Sequence, residues 1–400
     1  MVRVLSVQTT LLGNRTYGEL LRRMLQDVES IEFHAEWNPE PSAIRIPGLK
    51  RFFWTRNPLR AVRERNLDFY TARYELGTSF LARGLAKRRC AELHPDVLHL
   101  HSQNLALLAG PLARRIPIVI TADMTAYQTA EQTVARRWRW TYSPNARLEG
   151  VAFRAAAAVV TFSHWAARSV ITQHGVDPSR VHVIPPGVER RLFAGLDAAR
   201  ERTGPLRMLF VGGEFNRKGG PLLVRTFLRG FGERDDVELH IVSGQAQVPK
   251  HPRIVVHRDV APYSPAWHDL YAAADLFVLP TLRDASPHVV VEAMAAGLPV
   301  VATPVGSIVE MVDDGRTGIL VAPGDEASLA RALVTLLDDV ALRRRFGSAG
   351  AARVVESFDA QINARALARV FVSAAGSAGQ TGRSANPTRR RADAANLPIA

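Results

Sequence analysis

Two carboxylates, Asp284 and Glu292, stand eight positions apart in "RDASPHVVVEAMAAGLPVV", which runs from Arg283 to Val301. Ser286 suits a helix N-cap, and Pro287 suits the first helical position, where no amide donor is needed. Ala293 to Ala296 favour helix, Gly297 suits the residue after its end, and Pro299 lies just beyond. The pattern predicts a buried helix starting near Ser286. Asp284 then lies in the loop at its mouth and Glu292 in its second turn. A helix mouth offers unpaired amides and the positive end of a dipole, a seat for anions. On this stretch alone, a capping acid plus an incidental glutamate is an equal reading.

Two other stretches carry similar chemistry. "LFVGGEFNRKGG" reads as strand, glycine turn and helix. Gly212 and Gly213 let the backbone approach a ligand, while Arg217 and Lys218 can grip a diphosphate, the first through a planar fork and the second as a point charge. The Gly-Lys-Ser/Thr ending of a P-loop is missing. "VATPVGSIVE" places Gly306 at a turn and Glu310 inside the next helix. Three strand ends thus deliver Arg-Lys, Asp and Glu to one crevice edge. That set suits a nucleoside diphosphate carrying a sugar, with hydroxyls donating to the acids and cations neutralising the pyrophosphate.

These residues must be positioned by the elements around them. Strand-like and helix-like segments alternate almost throughout. The first half offers "VRVLSVQ", "IEFHAEW", "DVLHLHS", "PIVITAD", "AAVVTFS" and "VHVIPP" as strands. The second half offers "RMLFVGG", "DVELHIVSG", "RIVVHRDV", "DLFVLPT", "LPVVAT" and "GILVAP". Short apolar strands covered by helices imply parallel sheets, and two such runs imply two doubly wound α/β domains. The expected division is a first domain over 1–185, a linker over 186–204, a second domain with terminal helices over 205–375, and a disordered tail over 376–400.

The chain has 400 residues, 47% of them hydrophobic and 22% charged, which fits globular domains with large cores. Cys90 is the only cysteine, so an intramolecular disulfide is excluded and a reducing compartment fits. No apolar run reaches the roughly 18 residues that a membrane span needs. The expectation is a cytoplasmic protein, or one held at the inner face of the plasma membrane. The formal charge is +13 with pI near 10.7, a balance that favours anionic partners. Much of it falls in two stretches with interleaved aromatics. Arg45 to Arg65 includes "RFFWTR", with Phe52, Phe53 and Trp54, and Arg136 to Arg147 holds Trp138, Trp140 and Tyr142. Such stretches suit an anionic membrane interface, could stack bases, or could pack their aromatics inward under solvated arginines. Of these partners, nucleic acid is not expected.

The second-half motifs, "FVGGEFNRKGG", "YAAADLFVLPTLRDASPHVVVEAMAAGLPVVAT" and "GSIVEMVDDGRTGILVAPGDEASLARAL", resemble glycosyltransferase family 4, which has the GT-B fold. Weaker echoes in "HPDVLHLHS" and "VTFSHWAARSVITQHGVDPSRVHVIPPGV" extend the resemblance over roughly residues 1 to 375. It implies two Rossmann-like domains facing a cleft and a retaining transferase with a nucleotide-sugar donor. The family signature is a Glu, seven residues and a second Glu. By resemblance Glu292 hydrogen-bonds the ribose and Asp284, standing where the first Glu would be, approaches the donor sugar. The stretch Ala285, Ser286, Pro287 and His288 lies between them at the diphosphate.

This chain departs from the family at several points. Gly213 stands where an arginine is usual, leaving the diphosphate to Arg217 and Lys218. Asp123 stands where many members have a histidine near the reacting carbon. The glycine pair after the first strand is reduced to "LLGNRTYG", where Asn14, Arg15 and Tyr17 are candidates for acceptor or diphosphate contact. His99 and His101 alternate on a strand and are weaker candidates for the acceptor. The family's retention is described as same-face attack by the acceptor hydroxyl, assisted by the leaving phosphate. No D-x-D pair occurs, so no essential metal and no cofactor beyond the nucleotide sugar is expected. The acceptor is expected to be a glycan or a lipid-linked precursor. Rival readings are a nucleotide-sugar epimerase or hydrolase on the same fold, and a non-catalytic sugar-nucleotide-binding partner subunit.

Overall fold

A computed structural model describes residues 1–10, 13–40, 44–45, 47–196 and 204–383. Twelve strands form two sheets of six. The first sheet holds β1 (Val2–Gln8), β2 (Ile31–Trp37), β3 (Val97–His101), β4 (Ile118–Ala122), β5 (Ala158–Thr161) and β6 (Val181–Val183). The second holds β7 (Leu206–Val211), β8 (Val237–Val242), β9 (Ile254–His257), β10 (Leu276–Leu279), β11 (Val300–Ala302) and β12 (Gly318–Leu320). Every pairing between these strands is parallel, and β3, β4, β5, β10 and β11 are buried along their whole length. Buried parallel strands need no polar face, which is why these read as mostly apolar runs, with His99 and His101 in β3 the main exception. All twelve expected strands are present.

The strand orders are β2-β1-β3-β4-β5-β6 and β12-β11-β10-β7-β8-β9. Successive connections run outward in opposite directions from β1 and β3 in the first sheet, and from β7 and β10 in the second. Each reversal opens a crevice at the carboxyl ends of the two central strands. In the second sheet the loops at that crevice are Gly212–Gly219 after β7 and Pro280–Pro287 after β10, the two stretches singled out by their chemistry.

The last helix corrects the expected domain division. Ala360–Arg383 follows the second domain in sequence but packs on the first. Its buried Ala364, Leu367, Ala368, Phe371 and Ala374 recur at helical spacing and join Val4, Tyr17, Leu21 and Val160 in one core. Phe371 stacks on Phe33 with ring centroids 6.4 Å apart. The helix also continues past the boundary placed at residue 376; the rest of the expected tail, 384–400, lies outside the described residues. The linker is likewise more tied down than its composition suggests. Val188 bridges to Asp359 in parallel, and a Cβ on Gly187 would come within 2.5 Å of the Ala360 backbone. Val188 and Phe193 are buried in the second-domain core, while 197–203 lie outside the described residues. The chain therefore crosses between domains twice, side by side.

Phe371→Ala should lower stability by about 3–5 kcal/mol, the usual cost of truncating a fully buried phenylalanine. The loss should appear as an earlier unfolding transition of the first domain in denaturant. An unchanged profile would place the helix outside that core.

Candidate functional site

The β7 and β10 loops are locked together by close backbone approach. Gly219 has φ +79°, and a Cβ there would lie 1.9 Å from the Pro280 carbonyl oxygen. Leu282 N donates to the Arg217 carbonyl at 3.0 Å, and Thr281 Oγ1 donates to the same oxygen at 3.3 Å. This brings the two charged stretches into one cluster. Lys218 Nζ lies 3.0 Å and Arg217 Nη1 3.4 Å from Asp284 Oδ2. Arg217 also donates to the Arg283 carbonyl at 2.5 Å and pairs with Glu214. Lys218 and Asp284 are largely buried, so solvent weakens their attraction little.

The helix at the mouth begins at His288, with Pro287 as its N-cap, and runs to Ala295. Ser286 was expected to cap it and does not: its Oγ pairs with Ser307 Oγ at 2.8 Å. The backbone reason is Gly306, whose φ of +60° lets the next loop approach so closely that a Cβ there would lie 2.3 Å from the Asp284 carbonyl. Ser307 N then donates to the Ala285 carbonyl at 2.8 Å. Asp284 Oδ1 accepts from Ala285 N at 3.1 Å. No side chain caps the helix mouth. Gly297 ends the helix at φ +66°, as its position in sequence requires.

Glu292 is buried in the second turn. Its two oxygens accept from Tyr263 and Tyr271, each at 3.0 Å. Burial pushes its carboxyl up to about 7, against the opposing pull of the two hydroxyls and Lys218. His288 is pushed down to about 4 by burial and by Lys218, and is neutral at pH 7.

The first domain faces this mouth. Tyr17 packs edge-on to His288 with centroids 5.4 Å apart, and Phe162 lies 6.2 Å from the same ring. Gln132 Nε2 donates to the Asp284 carbonyl at 2.9 Å. Asp123, just after β4, accepts from Gln103 at 3.3 Å; burial raises its carboxyl, and Asp284 across the cleft adds to the rise. Glu75 and Glu149 are raised behind it, mainly by burial. Glu149 accepts from Ala126 N at 2.7 Å and so fixes the helix that follows Asp123.

This arrangement has counterparts in known proteins. Residues 205–339 match the family model described as glycosyl transferases group 1, and residues 18–192 match that of glycosyltransferase family 4. A D-inositol 3-phosphate glycosyltransferase from Geodermatophilus obscurus is 31% identical over 311 residues, covering 70% of this chain and 67% of that protein. The chain belongs to glycosyltransferase family 4. A glycogen synthase from Mycobacterium tuberculosis is 31% identical over 301 residues, covering 70% of this chain and 69% of its own length. Among solved structures, Anabaena HepE in complex with UDP-glucose gives a TM-score of 0.65 at 17% identity, over 93% of this chain and all (100%) of that one. An α,α-trehalose 6-phosphate synthase from Burkholderia multivorans gives 0.67 at 15% identity, over 94% and 100%. These likenesses show the GT-B fold. The protein is a nucleotide-sugar glycosyltransferase, and the epimerase, hydrolase and non-catalytic readings are not favoured.

The structure brings Gly212, Arg217, Lys218, Asp284 and the loop to His288 together, with Glu292 one turn deeper. Gly213 borders open space, with nothing within 4 Å of a Cβ there. Glu310, read as a third acid on the donor edge, instead accepts from the backbone of His164 and Trp165 in the first domain at 2.8 and 2.6 Å. It caps a helix across the cleft because that helix mouth needs an acceptor. Arg15 pairs with Glu19 on the surface, while the side chain of Asn14 lies outside the described residues. His99 is held between Ser6 and Thr121 at 2.9 and 2.8 Å and is part of the core. His101 is buried with neither ring nitrogen paired. Tyr263, Tyr271, Glu75 and Gln132 escaped the sequence reading. Only the tyrosines left a trace, as an aromatic pair eight residues apart in "YSPAWHDLY".

Gly219→Ala should destabilise clearly, since it adds strain at positive φ to a backbone clash. Gly213→Ala should stay within about 1 kcal/mol of the parent. Chemical denaturation of the two variants side by side checks this contrast; equal losses would refute the close approach at Gly219.

Proposed function

We propose that this enzyme is a retaining glycosyltransferase that needs no metal for the diphosphate, and that the Arg217–Lys218–Asp284 cluster is its donor site. The observation that carries the reading is that these three charges meet at the strand-order reversal of the second sheet, beside an uncapped helix mouth and facing the first domain. Arg217 and Lys218 hold the diphosphate, with the backbone of Gly212, Gly213 and residues 285 to 288 around it. Asp284 meets the donor sugar and Glu292 the ribose. Asp123 stands on the acceptor side. In the reaction the acceptor hydroxyl oxygen forms a bond to the anomeric carbon. The bond from that carbon to the phosphate oxygen breaks, and the electron pair leaves with the diphosphate. The hydroxyl proton passes to the departing phosphate oxygen on the same face. The cations and the helix mouth stabilise the charge developing on that phosphate. The paired crossovers at Gly187 and Asp359 let the domains close over the donor.

The acceptor is proposed to be a glycan or lipid-linked precursor met at an anionic membrane surface in the cytoplasm. What supports this is that the fold brings the two basic-aromatic stretches together: Arg65 lies over the Trp138 ring at 5.3 Å. Just past the first stretch, Asn66 Nδ2 donates to Thr141 Oγ1 at 3.3 Å, and Phe69 packs edge-on to Trp140 at 5.7 Å. Not all the aromatics serve it: Phe53 and Trp54 pack against Gly77, and Tyr142 is buried. Phe52 and Trp140 remain 58% and 53% exposed, amid Lys50, Arg51, Arg56 and Arg139. No helix of the described residues is long and apolar enough to cross a membrane.

Four outcomes test this reading. Glu292→Ala should weaken product nucleotide and donor alike by about ten- to a hundred-fold, the cost of a lost charge-assisted hydrogen bond. Asp284→Asn should leave nucleotide affinity nearly intact and lower turnover, measured by calorimetry beside an acceptor-dependent transfer assay. If Asp284→Asn loses nucleotide as badly as Glu292→Ala, the division of roles is wrong. Chelation with EDTA should leave turnover unchanged; a loss restored by divalent cation would overturn the metal-independent reading. Co-sedimentation with liposomes should require anionic lipid, weaken with salt and fall in a Phe52→Ser, Trp140→Ser double variant. Equal binding to neutral vesicles would exclude the proposed surface.

A further inference from the structure

Two tyrosines hold Glu292, the acid proposed to meet the ribose, and have no part in the reaction as drawn. Tyr271 is fully buried and its hydroxyl donates to Glu292 Oε2 at 3.0 Å. Tyr263 donates to Oε1 at 3.0 Å from the loop before helix Pro265–Ala273. Its φ is +60°, an uncommon conformation for a bulky residue, and the next residue, Ser264, caps the helix with its Oγ accepting from Trp267 N at 3.3 Å. The Trp267 ring spaces the two tyrosines, with centroids 5.0 Å from Tyr263 and 4.2 Å from Tyr271. The charged groups acting on the pair are Lys218 from the glycine turn, Arg23 from helix Gly13–Gln26, and Glu189 from the crossover.

A carboxylate oxygen has room for two hydrogen bonds. Each oxygen of Glu292 has one position taken by a tyrosine, which leaves one on each for a ligand hydroxyl. We propose that Tyr263 and Tyr271 are positioning residues for the donor nucleotide, a clamp that fixes the Glu292 carboxylate so that its two remaining acceptor positions meet the adjacent hydroxyls of a ribose. The inference rests on the donor-site reading above. The clamp also keeps the acid available as a carboxylate. Burial raises Glu292 to about 7, and the two hydroxyls oppose that rise. Removing one of them raises the carboxyl further, so less of it is ionised at neutral pH and the ribose loses its acceptor. The difference closes as pH rises through the new midpoint, where the carboxylate forms without help.

The test is calorimetric binding of uridine diphosphate, or guanosine diphosphate if it binds more tightly, to the full chain between pH 5.5 and 9. Tyr263→Phe, Tyr271→Phe and Glu292→Gln are compared with the parent. Taking ratios to the parent removes the titration of the terminal phosphate itself, which falls near about 6. Tyr263→Phe removes one oxygen from a partly exposed ring and should fold normally; Tyr271→Phe is the second variant. In each, the midpoint attributable to Glu292 should rise by about half to one pH unit, weakening binding about three- to ten-fold below it and little above it. Glu292→Gln should lose that pH dependence. An unchanged midpoint in both tyrosine variants, or a parent-like profile in Glu292→Gln, overturns the clamp while leaving the donor site standing. A parent that binds neither nucleotide at any pH overturns the donor-site reading, and the clamp with it.

Discussion

The site depends on one constraint: the reversal of strand order between β7 and β10, and the backbone contact that closes it. Parallel strands deliver all their carboxyl ends to one edge, but only a reversal opens a crevice there. Gly219 lies against the Pro280 carbonyl because it has no Cβ. That contact sets Lys218 within 3.0 Å of Asp284, though 66 positions separate them in the chain. Without it the two stretches would be a surface turn and a capping acid.

The charge arrangement is suited to a ligand that brings charge of its own. Asp284 sits between Arg217 and Lys218, 3.4 and 3.0 Å from their side-chain nitrogens. On the proposed donor-site reading, a diphosphate at the helix mouth would meet donors that Asp284 already orients, so little reorganisation would oppose binding or the development of charge on the leaving group. Glu292 sits deeper, in a less polar place, and depends on neighbouring hydroxyls to hold its charge. Two acids of one motif thus have different electrostatic surroundings, which matches the different parts of a donor they are proposed to meet.

The two domains are exchanged rather than merely linked. The last helix returns to the first domain and fills its core with Phe371, while Val188 and Phe193 of the crossover are buried in the second. Across the cleft, Glu310 caps a helix of the first domain and Gln132 binds the Asp284 carbonyl. These contacts tie the two sides of the cleft together, and Tyr17 and His288 touch across it.

The sequence by itself determined the twelve strands, the two doubly wound domains and the family motifs. Buried parallel strands and glycine turns are local features, set by apolar runs and by positions that only glycine can occupy. Gly297 and the charged Arg217–Lys218 pair were legible for that reason. Other features depended on partners distant in the chain. The cap expected at Ser286 was lost to Ser307, and Glu310 was drawn to amides of the other domain. The apolar face of Ala360–Arg383 announced a buried helix but could not say which domain would cover it. Tyr263 and Tyr271 read as ordinary aromatics until the fold set both against Glu292. Local periodicity fixes which residues turn inward; which inward-facing groups meet is decided only when sheets and crossovers bring remote segments together.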